Sequence, residues 1–302
     1  MKRICAVIVT YQPDIGALST SLAALRTEVD GVIVVDNGSS RIEEGRLMDA
    51  CPALTLRKLE ENKGVGAAQN EGIALARSLG YAYVLLMDQD SVPHVGMVER
   101  LRNALEGLQA AGHKVACVGP RVRLPGSPDL SSFCTMGWLG RRYAPCTGAN
   151  AAVECDALIA SGSLIPLDVV ERVGAMEEAL FIDQVDTEWC LRARSKGYRV
   201  YGACGAVLEH RLGETAQRFW AGRWRRLPRH RPFRYYYIFR NTILVSRRKY
   251  TSMKWILFNA RWLVTLLVLY GLFARDRNGE LRMMFKGTLH GFKGVSGKLR
   301  EP

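Results

Sequence analysis

A chain of 302 residues that is 48% hydrophobic can bury one large α/β core with an appendage, or two domains, so disorder is excluded as its default state. Its 29 glycines and 11 prolines fall at turns rather than in low-complexity runs, and no period of about 20–50 residues repeats, which excludes a repeat architecture. The formal charge of +13 is concentrated: Thr215 to Arg275 holds 14 Lys or Arg and no acid, and 42 less these 14 leaves 28 basic residues against 29 acidic ones elsewhere.

In chain order, Met1-Lys2-Arg3 leads straight into a β pattern without the apolar region of a signal peptide, so nothing argues for export. Residues 3–9 and 31–35 are β-branched runs, and between them 14–27 sets Ile15, Leu18, Leu22 and Leu25 at helical spacing, a β-α-β unit. A run at 54–59, a helix over 65–79, a run at 82–87, a helix over 95–110 and a run at 115–119 continue the alternation. The spacing predicts an α/β fold, a mainly parallel sheet flanked by helices with right-handed crossovers. The pattern weakens to residue 150, which places a boundary between a nucleotide half and an acceptor half near 125–155. It resumes with a run at 157–166, a short helix at 167–173 and a helix over 185–196. The eight cysteines form no CxxC pair and read as reduced, mostly packing thiols of a cytosolic protein.

In such sheets ligands lie outside the carboxyl ends of the strands. Val34-Val35 runs there into Asp36-Asn37-Gly38-Ser39, and Leu85-Leu86-Met87 runs into Asp88-Gln89-Asp90. Two carboxylates one residue apart at the end of an apolar strand are costly to desolvate unless a cation or water compensates them. Mg²⁺ and Mn²⁺ are held by such carboxylates together with substrate phosphates. A polar strand end or the cap of the next helix is the plain alternative. In the segment Phe181–Arg192, Asp186 and Glu188 gather at the positive end of a helix, where capping by Asp186 or Thr187 is the plain alternative. His210 closes the apolar run Val207-Leu208, as ligand or as structural hydrogen-bonder.

These landmarks, in this order, resemble the family 2 glycosyltransferases of the GT-A fold, and more narrowly their bacterial rhamnosyltransferase branch, over residues 4–245. They are Val9-Thr10-Tyr11, Asp36-Asn37-Gly38-Ser39, Asn62 through Gly72, Asp88-Gln89-Asp90, Ser161-Gly162-Ser163, Phe181–Arg192, His210, and Arg234-Tyr235-Tyr236 through Arg240-Asn241. The resemblance implies an inverting hexosyltransferase that uses Mg²⁺ or Mn²⁺ and a nucleoside-diphosphate sugar, dTDP-rhamnose in this branch, with a lipid-linked saccharide of cell-surface polysaccharide synthesis as acceptor. It implies that Asp186 is the catalytic base. Thr10, Tyr11, Asp36, Asn37, Asn62, Gly66, Asn70, Asp88 and Gln89 would bind the donor, and Asp88, Asp90 and His210, 24 residues beyond the base, the metal. Val185 stands where the wider family often has Glu before the base, which leaves Asp183 as a competitor. Gly64-Val65-Gly66 is not a dinucleotide fingerprint, because position 69 is Gln69 and the segment follows the third strand.

The expected organisation is a catalytic domain over 1–215, its acceptor half from about 150, and a basic helical region over 216–302. Within the latter, 255–274 is apolar over 20 residues, interrupted by Asn259 and Arg261. It reads as an interfacial or partly inserted helix, with a buried acceptor-domain helix and a true span as alternatives. The basic run before it, with Trp220, Trp224 and Tyr235-Tyr236-Tyr237, suits an anionic membrane surface at the cytoplasmic face of a bacterial plasma membrane. Nucleic acid is the competing partner, disfavoured because it needs no apolar helix. An inactive nucleotide-sugar-binding protein is the third reading, and Asp88, Asp90, Asp186 and His210 together speak against it.

Overall fold

The computed structural model describes residues 2–210, 216–220, 224–228, 230–274 and 277–299, with backbone alone for 216–220, 224–228 and 277. The chain separates into two compact units, the first comprising Met1–Thr135, Arg141–Glu178 and Val185–Arg211, the second Met136–Gly140, Ala179–Gln184 and Leu212–Pro302.

The first unit begins with β1 (Ile4–Thr10), α1 (Ile15–Leu25), β2 (Gly31–Asp36), α2 (Glu44–Ala50), β3 (Thr55–Lys58), α3 (Val65–Ser78) and β4 (Tyr83–Asp88). Strands β1, β2 and β4 are continuous apolar runs because both faces of the sheet are covered. Ile4, Ala6 and Ile8 join Leu18 and Leu22 of α1 in one cluster. On the other face Val7 lies against Gly72 of α3. Asp14 caps α1 by accepting the Ala17 N–H at 3.0 Å.

There follow β5 (Ser91–Pro93), α4 (Met97–Ala110), β6 (Val115–Arg123), the hairpin β7 (Phe133–Gly137) and β8 (Gly140–Ala144), β9 (Ala152–Cys155), β10 (Leu164–Pro166), α5 (Leu167–Val173), α6 (Val185–Ser195) and β11 (Arg199–His210). The nine-stranded sheet runs β3-β2-β1-β4-β10-β6-β11-β5, with β9 beside β11. It is parallel from β3 to β4 and between β6 and β11. Short β10 enters antiparallel between β4 and β6, and β5 and β9 pair antiparallel with β11. Only the last three residues of the expected 157–166 run form a strand. The residues before them turn instead: Gly162 has φ +84°, and a Cβ there would meet the Pro120 ring at 2.5 Å.

The expectation of free thiols needs one correction. Cys146 and Cys204 are joined by a disulfide across 58 residues, which ties the loop after β8 to β11. The other six are free. Burial pushes the Cys5 thiol up to about 12 and raises Cys155, as expected of packing thiols that do not react.

In the second unit β12 (Ala216–Trp220) and β13 (Trp224–Pro228) form an antiparallel ribbon, followed by α7 (Pro232–Ser246), α8 (Met253–Phe273) and α9 (Arg277–Lys293). The side chains of Trp220 and Trp224 lie outside the described residues. Tyr235, Phe239 and Ile243 of α7 pack with Leu263 and Tyr270 of α8 and Met284 of α9. Glycines 287 and 291 let α9 press onto the α7 backbone, since Cβ atoms there would lie 2.4 Å from the Tyr236 carbonyl and 3.0 Å from the Arg240 carbonyl.

Helix α8 is not wholly buried: only 11% of its most apolar window is. Leu266 and Leu267 turn toward the α7–α9 cluster, while Leu257, Val264, Val268 and Leu272 are exposed.

Candidate functional site

The carboxyl ends of β1, β2 and β4 lie side by side, with Thr10 opposite Asp36 and Val9 opposite Asp88. Asp36 is buried, its Oδ1 accepting from Thr10 Oγ1 at 3.2 Å and Ser39 Oγ at 2.5 Å, its Oδ2 from the Ser39 N–H at 3.1 Å. This closes the turn after β2 and fixes the carboxylate without an ion pair among these contacts. Asn37 donates to Asn62 Oδ1 at 3.2 Å and accepts the Lys63 N–H at 2.9 Å, and Asn62 Oδ1 also takes the Gly64 N–H at 3.0 Å. The two loops are thereby stitched together at the start of α3.

Tyr11 lends its N–H to Gln89 Oε1 at 2.8 Å, which couples the loop after β1 to the Asp-Gln-Asp turn. Gly66 permits a close approach here, since a Cβ would sit 3.2 Å from the Glu177 carbonyl and 3.3 Å from Val185. Asn70 is brought to the same region but as a brace. Its Oδ1 accepts the Met176 N–H at 2.8 Å, and its Nδ2 donates to the Met176 carbonyl at 3.0 Å and to Glu178 at 2.8 Å.

Asp88, Asp90 and His210 converge, one ligand atom from each lying within 4.8 Å of the others. His210 Nε2 is 3.9 Å from Asp88 Oδ2, and its Nδ1 is 3.7 Å from Asp90 Oδ1. The pairing of β5 with β11 brings them together, since His210 stands opposite Ser91 in its register. Two serines organise the cluster from behind. Ser91 Oγ lies 2.6 Å from His210 Nδ1 and 2.7 Å from Ser161 Oγ, which in turn accepts the Asp88 N–H at 3.1 Å. Both are buried. Two carboxylates and an imidazole with converging lone pairs form a donor set that suits Mn²⁺ or Mg²⁺.

Asp186 occupies the first turn of α6. Its Oδ1 accepts the Thr187 N–H at 2.6 Å and its Oδ2 the Ala160 N–H at 3.2 Å. Ala160 and Ser161 are adjacent, so one short turn holds both Asp186 and Asp88. The helix is itself pinned by Glu188, which is buried and receives two hydrogen bonds of 2.9 Å from Arg192. Arg192 also donates to the Val173 carbonyl at 2.9 Å, and Trp189 Nε1 to the Gly174 carbonyl at 2.9 Å. Glu188 and Arg192 thereby orient α6.

Asp183 differs from Asp186 in its surroundings. In the second unit its carboxylate pairs with Arg234 at 3.1 Å. Phe181, Asp183 and Gln184 have φ of +66°, +63° and +67°, a left-handed run costly for residues other than glycine. Buried Asn241 donates to the carbonyls of Leu180 at 2.8 Å and Ile182 at 2.6 Å, and Arg240 to Leu180 at 2.9 Å. This gives the Arg240-Asn241 landmark a physical role.

Sequence reasoning missed Ser91, whose position beside the Asp-x-Asp motif is its only local signal. It singled out Ser161 without a role.

A profile of the family described as glycosyl transferase family 2 matches residues 5–144. The dTDP-rhamnosyl transferase RfbF of Shigella flexneri is 30% identical over 300 residues, 98% of this chain and 97% of that protein. Among solved structures, S. aureus TarS 1-349 superposes with a TM-score of 0.57 at 14% identity, covering 96% of this chain and 80% of that one. GalNAc-T7 with UDP, GalNAc and Mn²⁺ gives a TM-score of 0.58 at 12% identity, covering 70% of this chain and 44% of that one. At these identities the two structures bear on the fold, which is GT-A with a helical C-terminal region.

Proposed function

We propose, from the premise that the chain belongs to glycosyl transferase family 2, that it moves L-rhamnose from dTDP-rhamnose onto a lipid-linked saccharide with inversion at the anomeric carbon. The observation that carries this reading is the shared turn Ala160-Ser161, which holds a carboxylate suited to proton removal beside a donor set suited to a diphosphate-bound cation. The relative RfbF, similar along nearly its whole length, supports the choice of sugar.

Asp186 accepts the proton of the acceptor hydroxyl as that oxygen attacks. The Ala160 and Thr187 N–H groups orient its carboxylate for that step. Asp36 Oδ2, which takes one hydrogen bond from Ser39, keeps capacity for the imide N–H of a thymine or uracil ring. Asp88, Asp90 and His210 would hold Mg²⁺ or Mn²⁺, which would supply Lewis-acid stabilisation of the departing diphosphate. Gln89 and Tyr11 keep that turn in register with the nucleotide loops.

Residues 1–215 form the catalytic domain in this reading, with acceptor contacts from about 150 onward, and 216–302 bring it to the cytoplasmic face of the bacterial plasma membrane. The 14 cations without an acid between 215 and 275 favour an anionic leaflet, with about 1 kcal/mol available per basic residue near the surface.

The test is donor consumption across a panel of nucleotide sugars with Mn²⁺ or Mg²⁺. The expected result is preferential consumption of dTDP-rhamnose. Consumption of another sugar nucleotide in its place would overturn the rhamnose assignment, and consumption of none would overturn the enzyme reading.

A further inference from the structure

The most exposed large apolar side chain among the described residues is not on the long apolar helix. Leu139 is 99% exposed at the tip of the β7–β8 hairpin, beside Trp138 at 55%. Both belong to the segment Met136–Gly140, which clusters with the second unit. Two contacts fix this tip on the amino-terminal half of α8. Arg261 donates a hydrogen bond to the Trp138 carbonyl at 3.2 Å, and Lys254 Nζ stands 5.5 Å from the centre of the Trp138 ring.

From this arrangement α8 presents a stripe along its outer side. Met253, Leu257, Val264, Val268 and Leu272 are exposed at spacings of three, four and seven to eight residues, with Arg261 among them. Trp255, Asn259, Leu263 and Tyr270 occupy the opposite, buried side.

We propose that the hairpin tip Trp138-Leu139 and the outer stripe of α8 form one docking surface for an anionic lipid leaflet, the stripe lying in the plane of the interface. The proposal rests on the membrane reading above and names its contacts. An exposed Leu beside an exposed Trp is a wedge that water disfavours, while Trp suits the headgroup level, where its amphipathic ring meets both phases. Lys254 and Arg261 have apolar stems long enough to lie along the apolar surface while their charges reach lipid phosphates.

Charge decides between a leaflet and a second copy of the chain. Two copies docked through this surface would bring Lys254 and Arg261 against their own equivalents, and the sequence from 215 to 275 supplies no acid to neutralise them. A leaflet rich in anionic lipid supplies that countercharge, and the apolar stripe adds the second signal that stable attachment needs.

The experiment is flotation of the full chain with vesicles of phosphatidylglycerol and phosphatidylcholine, against vesicles of phosphatidylcholine alone, with donor hydrolysis and sedimentation measured in parallel. The chain is expected to float with the anionic vesicles, and Leu139→Asp and Val264→Asp each to lower partitioning about tenfold or more. Circular dichroism and donor hydrolysis should not change, since both side chains point into solvent. If both variants float like the unaltered chain, this surface is wrong while the membrane reading stands. If the unaltered chain never floats at low salt, the membrane reading falls with it. A concentration-dependent dimer that Leu139→Asp dissociates, without flotation, would assign the surface to a second copy. Loss of donor hydrolysis in every form, with flotation intact, would overturn the enzyme reading and leave this surface standing.

Discussion

Asp186→Asn is expected to lower kcat by roughly 10² or more while leaving the donor's KM nearly unchanged. The amide keeps the shape of the carboxylate and can still accept the Ala160 N–H through its oxygen, so the turn that Asp186 shares with Asp88 is retained. What is lost is the capacity to take a proton. Asp183→Asn should behave differently, because Asp183 is paired with Arg234 and lies in the left-handed segment held by Asn241. Its loss should appear first as lowered thermal stability. A kcat loss of that size in Asp183→Asn, with Asp186→Asn mild, would reverse the assignment.

Asp90→Asn, or chelation of divalent cations, is expected to abolish transfer with the fold intact, because Asp90 is partly exposed and no core packing is removed. The serines behind the cluster should give a graded effect. With Nδ1–H donated to Ser91 Oγ, 2.6 Å away, His210 would turn its Nε2 lone pair to the side facing Asp88. Ser91→Ala removes the acceptor that selects this tautomer and should weaken Mn²⁺ binding, measured by electron paramagnetic resonance, about 10–100-fold. Full transfer in excess chelator would sink the metal assignment. Unchanged Mn²⁺ affinity in Ser91→Ala would reduce the serines to packing.

Much of the catalytic unit is legible in the chain because its order is local. A buried parallel strand must be apolar throughout, so 3–9, 31–35 and 82–87 stand out, and the polar residues that end them mark the ligand edge. Short α5 begins after Pro166 and ends at Gly174, both readable stops. Contacts across long separations are not readable in this way. Strand β10 has three residues and sits between β4 and β6, and nothing in Leu164–Pro166 encodes that position. The Ser91–His210 contact spans 119 residues and the Cys146–Cys204 disulfide 58, so spacing gave no hint of either.

Asn70 shows a subtler limit. A polar residue near a glycine-rich helix start reads equally as a ligand contact or a brace, and only the positions of Met176 and Glu178 show the brace. For α8 the difficulty is phase. The helix is apolar on nearly every side, so the sequence cannot tell Leu266 and Leu267, which pack inward, from Val264 and Val268, which face solvent.

The most direct test of a single displacement assisted by Asp186 is the anomeric configuration of the transferred sugar, determined by nuclear magnetic resonance of the product formed from dTDP-rhamnose. One carboxylate base acting opposite the leaving group should give the configuration opposite to that of the donor. Retained configuration would contradict it, since retention requires a second displacement on the enzyme that Asp186, acting only as a base, does not provide.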